Sequence, residues 1–456
     1  MNPRKLLLLT GAVLALLAFI IFFERRMPTT EERGRKGPLH WELPADRVES
    51  VRLERQDSTL GMVELKKGEG GAWRLVKPES YPADTSPVMD LVRELASLKR
   101  AGGDPTGARP DAYGLVPPVA KATFTWSEEA APQKKKTRTV EFGIEIPAGD
   151  TAAARVAGTE NVIFVRAAAL QAVKRSANDF KSREVFVGSA SDIASIDIER
   201  GRGHLMLAKK GRSWWLQQPV NDLADSGVAT RLAEDLLALR AVDFVGSADR
   251  ENLATQGLNP PVSRVTLVDV KGVRSTVDLG ATRSDGNSVY ARRETQVLTV
   301  HNAIVDELSK EAIAFREAHL VMPDRSAVSG LEGEFGDGKF TFVKSGATWT
   351  AAGKPIASPA ADDVLSALLD LKSKTFIDEP DAARLRALAP AATIRLTVAP
   401  ESWEIKLYTV RSDIQASVAR RPGGFLMPPD SLSRLLDAFK KAASSQPTPV
   451  PTAKKK

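Results

Sequence analysis

The run WRLVKPESYPAD, Trp73 to Asp84, returns as WWLQQPVNDLAD, Trp214 to Asp225, and more loosely as WTAAGKPIASPAAD, Trp349 to Asp362. An alternating apolar stretch precedes each copy and a Leu-rich helical pattern follows it. Trp73 and Trp214 lie 141 positions apart, as do Asp84 and Asp225, and Leu91, Leu95 and Leu98 fall on Leu232, Leu236 and Leu239 in that register. Self-similarity over so long a period means that one supersecondary unit has been copied.

The residue types within the copy read as a strand-to-helix corner. Trp73, Trp214 and Trp349 end a strand and supply an aromatic plug. Pro78, Pro219 and Pro355 block further pairing, and Asp84, Asp225 and Asp362 are placed to cap the next helix. These nine residues form a structural motif. The competing reading, tryptophans lining a groove for a sugar or peptide, requires them to be exposed, and their alternating apolar setting argues for the core.

Around this corner each copy is expected to hold strands, a helix, a Gly-Pro-Pro corner, more strands and a closing helix. Val48 to Leu53 and Met62 to Leu65 predict two strands, and Val88, Leu91, Val92, Leu95 and Leu98 predict a helix with one apolar face. Further along, Gly-Leu-Val-Pro-Pro at Gly114–Pro118 returns as Gly-Leu-Asn-Pro-Pro at Gly257–Pro261, and Phe142-Gly143 returns as Leu279-Gly280. The third copy has small insertions, a helix placed at Val364–Leu371 about a turn shorter than the others, and only Leu388-Ala-Pro390 where the Gly-Pro-Pro corner should stand. An atypical terminal repeat is expected of a cap.

Ahead of the first copy, Leu6 to Phe23 is uncharged and predicts a transmembrane anchor near the lower length for crossing the hydrocarbon core. The run ends in Phe-Phe-Glu-Arg-Arg rather than a small-x-small cleavage site, which favours an uncleaved anchor over a signal peptide. The expected organisation is therefore a short tail at 1–5, an anchor at 6–23, a polar linker at 24–40, and repeat modules at 41–183, 184–318 and 319–443. A Pro- and Lys-rich tail at 444–456 is expected to be disordered. The fold class is α+β: three tandem modules of antiparallel strands and amphipathic helices behind one transmembrane helix.

Composition narrows the chemistry. There is no cysteine among the 456 residues, which removes disulfides, thiolate metal sites and cysteine nucleophiles. The net charge of +7 is mild, and no basic stripe interleaves with aromatics, so no nucleic-acid partner is expected. Gly333-Glu-Phe-Gly-Asp-Gly338-Lys339-Phe340 has phosphate-loop spacing, but Phe340 stands where Ser or Thr should hold magnesium, and the pattern reads as a hairpin. His40, His204, His301 and His319 share no ligand spacing. No catalytic, cofactor-binding or metal-binding residue is assigned, and no cofactor is expected.

The repeated W-x-L-x-x-P with its downstream Ala-Asp and Leu-rich helix resembles a bacterial domain-of-unknown-function family of the DUF4340 type, from Trp41 onward. The resemblance implies a single-pass envelope protein linked to ABC transporters of gliding-motility type, with permease or ATPase subunits as partners. It carries over no catalytic residue. The reading is a non-enzymatic accessory or scaffold protein at the bacterial inner membrane, its domains outside the cytoplasm. The alternatives are an envelope glycan- or peptide-binding module and a hydrolase using paired carboxylates.

Overall fold

A computed structural model describes residues 43–101, 109–128, 131–146, 149–249, 251–336, 338–399 and 401–445. The chain divides into two compact units, Met1–Arg183 and Glu184–Lys456. The first holds one sheet and the second holds two.

In the first unit, alternating apolar residues build β1 (Val48–Arg55), β2 (Val63–Lys67), β3 (Trp73–Lys77) and the two-residue β4 (Tyr81–Pro82). Helix α1 (Thr85–Ala96) follows, then β5 (Ala120–Glu128), β6 (Ala131–Ile146), β7 (Thr151–Val156), β8 (Ile163–Arg166) and α2 (Ala167–Val173). The sheet order is β4-β3-β2-β1-β5-β6-β7-β8, two antiparallel meanders joined through their first strands. Period-two alternation puts Val51, Leu53, Val63, Leu65, Leu75 and Phe124 on one face. Helical spacing puts Val88, Leu91, Val92 and Leu95 of α1 against them, and all ten are fully buried in one core.

The second unit repeats this path twice. Its first sheet contains β9 (Ile193–Arg200), β10 (Gly203–Lys210), β11 (Ser213–Gln218), β12 (Asp222–Leu223), β13 (Ala241–Ser247), β14 (Ser263–Asp269), β15 (Arg274–Thr282), β16 (Ser288–Arg293) and β17 (Gln296–His301). Helix α3 (Ser226–Ala238) follows β12 and α4 (Ala303–Ser309) follows β17. The next sheet contains β18 (Val328–Phe335), β19 (Gly338–Ser345), β20 (Thr348–Ala351), β21 (Lys354–Pro355), β22 (Thr375–Ile377), β23 (Ala392–Val398), β24 (Glu401–Val410), β25 (Asp413–Val418) and β26 (Gly424–Leu426). Its helices are α5 (Ser358–Leu369), α6 (Glu379–Arg386) and α7 (Ser431–Ser444). The orders β12-β11-β10-β9-β14-β15-β16-β17-β13 and β21-β20-β19-β18-β23-β24-β25-β26-β22 match the first sheet, with one strand added at the far edge.

The expected fold class needs correction. The protein is mostly antiparallel sheet, 45% strand against 25% helix, rather than an α+β fold behind a membrane helix. Among the described residues no helix is long and apolar enough to cross a membrane. The run 6–23, the linker at 24–40 and most of the tail at 444–456 lie outside the described residues. Strand outweighs helix because each sheet runs to eight or nine strands, against only two or three described helices beside it.

The third copy's helix also differs. Helix α5 spans 12 residues, the same as α1, and starts at Ser358 rather than near Val364. Asp362 therefore lies inside the helix with its side chain 53% exposed, and Ala357 occupies the N-cap position. The Pro at Pro359 satisfies the first-turn preference that fixes this earlier start. The phosphate-loop-like stretch is a hairpin, Glu334 opposite Lys339 and Phe335 opposite Gly338. Gly333 is small because a Cβ there would lie 2.8 Å from ring atoms of both Phe335 and Phe439.

Candidate functional site

The repeated corner is a core element. Trp73, Trp214 and Trp349 are 3%, 2% and 2% exposed, which places their indoles in the interior rather than along a groove. Each Trp carbonyl accepts a hydrogen bond from the chain just ahead of the helix: Ala83 N at 3.0 Å, Ala224 N at 3.1 Å and Ile356 N at 2.9 Å. The indole N–H of Trp214 donates to Thr230 Oγ1 of α3 at 3.2 Å, so strand end and helix are tied twice. The Lys77-Pro78 and Gln218-Pro219 bonds are cis, and the Pro355 bond is not among the cis bonds. Asp84 caps α1 by accepting from Ser86 N at 2.9 Å, and Asp225 caps α3 by accepting from Gly227 N and Val228 N.

The two other sequence echoes prove to be one joint. Gly114 and Gly257 both sit at φ +65°, and Leu115 and Leu258 beyond them are fully buried. A Cβ on Gly143 would lie 1.9 Å from Tyr113 O, and one on Gly280 would lie 2.1 Å from Gln256 O. The Gly-Leu-x-Pro-Pro turn therefore crosses the bulged strand at backbone contact, and only glycine fits beneath it.

Charges repeat on the other face of the sheet. Glu141 stands across the strands between Lys121 and Arg155, with Arg155 Nε at 2.7 Å and Lys121 Nζ at 3.3 Å. Asp278 stands likewise between Arg264, whose Nε lies at 2.7 Å, and Arg292, whose Nη2 lies at 2.5 Å. The same register in the next sheet holds Thr393, Lys406 and Ser417, so the triad is lost there. Burial pushes the Asp278 carboxyl up, but hydrogen bonds from Arg264 and Arg292 outweigh it and hold it below the ordinary range.

A further cluster, which the sequence reading missed, joins the two sheets of the second unit. Asp222 of β12 is 1% exposed. Arg421, in the turn between β25 and β26, donates Nε to Asp222 Oδ1 at 2.8 Å and Nη2 to Oδ2 at 3.0 Å. Its remaining N–H groups reach Glu317 O at 2.7 Å, His319 O at 2.5 Å and Leu320 O at 3.2 Å. All five guanidinium donors are thus engaged. Arg316 adds a second guanidinium: its Nε donates to Asp222 Oδ2 at 2.9 Å, its Nη2 to Pro422 O at 2.8 Å, and its plane lies 4.1 Å from the Phe376 ring centroid. Asp222 lies inside the quoted repeat, where the first copy has Tyr81. A carboxylate standing where the other copy has an aromatic was the one available signal.

An open cleft of about 580 Å³ lies at one end of the first sheet, lined by Leu43, Arg47, Ala96, Trp126, Lys136 and Arg138 among others. Among the described residues no group of three or more His, Asp or Glu side chains is arranged to hold a metal ion. His204 pairs with Asp197 at 2.7 Å and His319 with Glu317 at 2.6 Å, while His40 lies outside the described residues.

Taken together these features define a class: tandem antiparallel sheets built on one topology, with buried carboxylates held by arginines. The family model described as a domain of unknown function, DUF4340, matches residues 73–261 and 246–389, and the chain belongs to that family. Both matches begin or end within the repeated sheets rather than at their boundaries. No curated protein matches the chain.

Proposed function

We propose that this protein is a non-enzymatic scaffold or accessory subunit that works outside the cytoplasm, in association with an ABC-type transport system. The observation that carries the scaffold reading is the Asp222–Arg421–Arg316 cluster. A fully bonded, buried charge cluster at a junction between two sheets favours one relative placement of them, because any other leaves a charge buried without partners. Such a junction suits a part that holds other components at a fixed spacing.

The transporter association rests on the family resemblance.

The experiment is cross-linking in intact cells followed by affinity capture of the tagged protein and mass spectrometry. A permease or ATPase recovered in stoichiometric amount supports the reading, and recovery of the protein by itself or with glycan fragments overturns it. A reporter enzyme fused after Ala443, active only when exported, tests the placement outside the cytoplasm.

A further inference from the structure

The arginine that ties the two sheets of the second unit is particular to the last sheet. Its turn has the hydrogen bonds of the turn between β7 and β8. Arg421 N donates to Val418 O and Ala419 N to Glu404 O, as Thr159 N donates to Val156 O and Ala157 N to Thr139 O. Thr159 therefore stands in the first sheet where Arg421 stands in the last. In the middle sheet β16 and β17 join through a two-residue hairpin, Arg293 opposite Gln296, which leaves no room for such a turn. Helix α6 has no counterpart in the middle sheet either, where the described residues between β13 and β14 form turns. Arg421 and α6 thus arise together.

The two are in contact through Gly423. Glu379 Oε2, in the first turn of α6, accepts a hydrogen bond from Gly423 N at 2.5 Å. Arg386, the last residue of α6, donates Nη1 to Gly423 O at 3.3 Å and pairs through Nη2 with Glu379 Oε1. One helix therefore grips both polar groups of this glycine. Gly423 sits at φ +71°, and a Cβ there would lie 2.5 Å from Ile377 O, so the turn is pressed onto the backbone of β22 just ahead of α6. The Gly423 N–H first, and Arg386 after it, hold the Glu379 carboxyl below the ordinary range, which keeps the grip ionised at neutral pH.

The grip lies at the surface, with the Glu379 and Arg386 side chains 57% and 39% exposed, while the Asp222–Arg421 pair it leads to is buried. A guanidinium bonded through two parallel N–H groups tolerates little displacement, because turning it away leaves a buried charge unpaired. We propose that Glu379 and Arg386 are positioning residues for Arg421: α6 sets the turn, and the turn aims the guanidinium at Asp222. The proposal rests on the reading that the Asp222–Arg421–Arg316 cluster fixes the placement of these two sheets. It makes α6 the exposed point from which that placement is regulated, without entry to the buried cluster.

The chain has no cysteine, so spin labels at Arg231→Cys on α3 and Lys440→Cys on α7, both exposed, report the distance between the two sheets in the full-length protein. Pulsed electron paramagnetic resonance should give one narrow distance in the otherwise wild-type chain. Glu379→Gln and Arg386→Ala should each add a second, broad component, as Arg421→Ala does. Asp381→Asn, on the same helix but paired with Arg384, should leave the distribution narrow. Glu379→Gln combined with Arg421→Ala should be no broader than Arg421→Ala by itself, since the first change acts through the second residue. If Arg421→Ala fails to fold, Arg421→Lys, which keeps the charge and gives up the paired N–H bonds, takes its place. Broadening by Arg421→Ala with none by Glu379→Gln or Arg386→Ala overturns the proposal and leaves the junction reading standing. No broadening by Arg421→Ala overturns both. The proposal is also overturned if Glu379→Gln only lowers the melting temperature, or if its broadening adds in full to that of Arg421→Ala, α6 then merely stabilising the last sheet.

Discussion

Asp222 and Arg421 stand 199 residues apart in the chain and are bonded through both carboxylate oxygens, at 2.8 and 3.0 Å. Neither is more than 5% exposed. Removing one member leaves the other charged and buried, which typically costs ~3–5 kcal/mol. Arg421→Ala is therefore expected to destabilise the second unit by about that amount in urea unfolding. A change below ~1 kcal/mol would mean that water reaches the cluster and that the junction is not held by it.

Trp214 should be the most costly single truncation in its corner, since its ring is buried and its N–H is bonded to Thr230. Trp214→Ala is expected to lose ~3–5 kcal/mol. Equilibrium denaturation followed by circular dichroism checks it. Trp214→Phe, which keeps most of the packing and drops the hydrogen bond, should lose roughly 1–2 kcal/mol.

The glycine joint makes a sharper test, because it compares alanines. At Gly143 and Gly280 the added methyl would sit about 2 Å from a carbonyl oxygen, so the turn must move. Each substitution should cost on the order of 1–3 kcal/mol or more. Gly70, where a Cβ meets nothing within 4 Å, is the control and should shift by less than ~0.5 kcal/mol. Equal effects at Gly143 and Gly70 would contradict the crossing geometry.

Asp225 and Asp362 occupy the same place in the repeated stretch but different places on their helices. Asp225→Ala removes a cap that accepts two backbone N–H groups and should cost ~1 kcal/mol. Asp362→Ala removes an exposed mid-helix carboxylate 3.7 Å from Arg325 and should change stability by less than ~0.5 kcal/mol. The paired melting curves decide between them.

Acid should weaken the second unit partly through Asp278. Its folded-state pKa lies below the ordinary value of 3.8, so its ion pairs contribute fully above that pH and are lost as the pH falls through the lower, folded-state value. Asp278→Asn should therefore flatten the loss of stability below about pH 4 while lowering stability at neutral pH. Unfolding measured from pH 2 to 7 in both proteins tests this. Parallel curves would show that Asp278 is not held by Arg264 and Arg292.

Much of the corner was legible before any coordinates because its physics is local. Trp73, Pro78 and Asp84 act within twelve residues of one another: a strand end, a break in pairing and a cap. The copy at Trp214 repeats them without a gap, and local causes survive copying. Asp362 misled because the repeat preserves the letter while an earlier start, with Pro359 in the first turn, moves the helix register. The two-residue edge strands β4, β12 and β21 were not legible because they take their conformation from a neighbour and not from their own alternation.

By itself, then, the sequence contained the return of the Trp73 stretch at Trp214 without a gap, and it predicted a strand-to-helix turn in which Asp84 and Asp225 are caps in the structure and Asp362 is not. Only the tertiary structure decided that the Gly-Leu-x-Pro-Pro turn lies over Gly143 and Gly280, that Asp222 meets Arg421, and that Arg47 shares a cleft with Arg138. Periodicity reports which face of an element is buried, through interactions a few residues long. Which side chains meet across elements depends on how sheets pair and pack, and contacts spanning up to 199 residues leave no spacing to read.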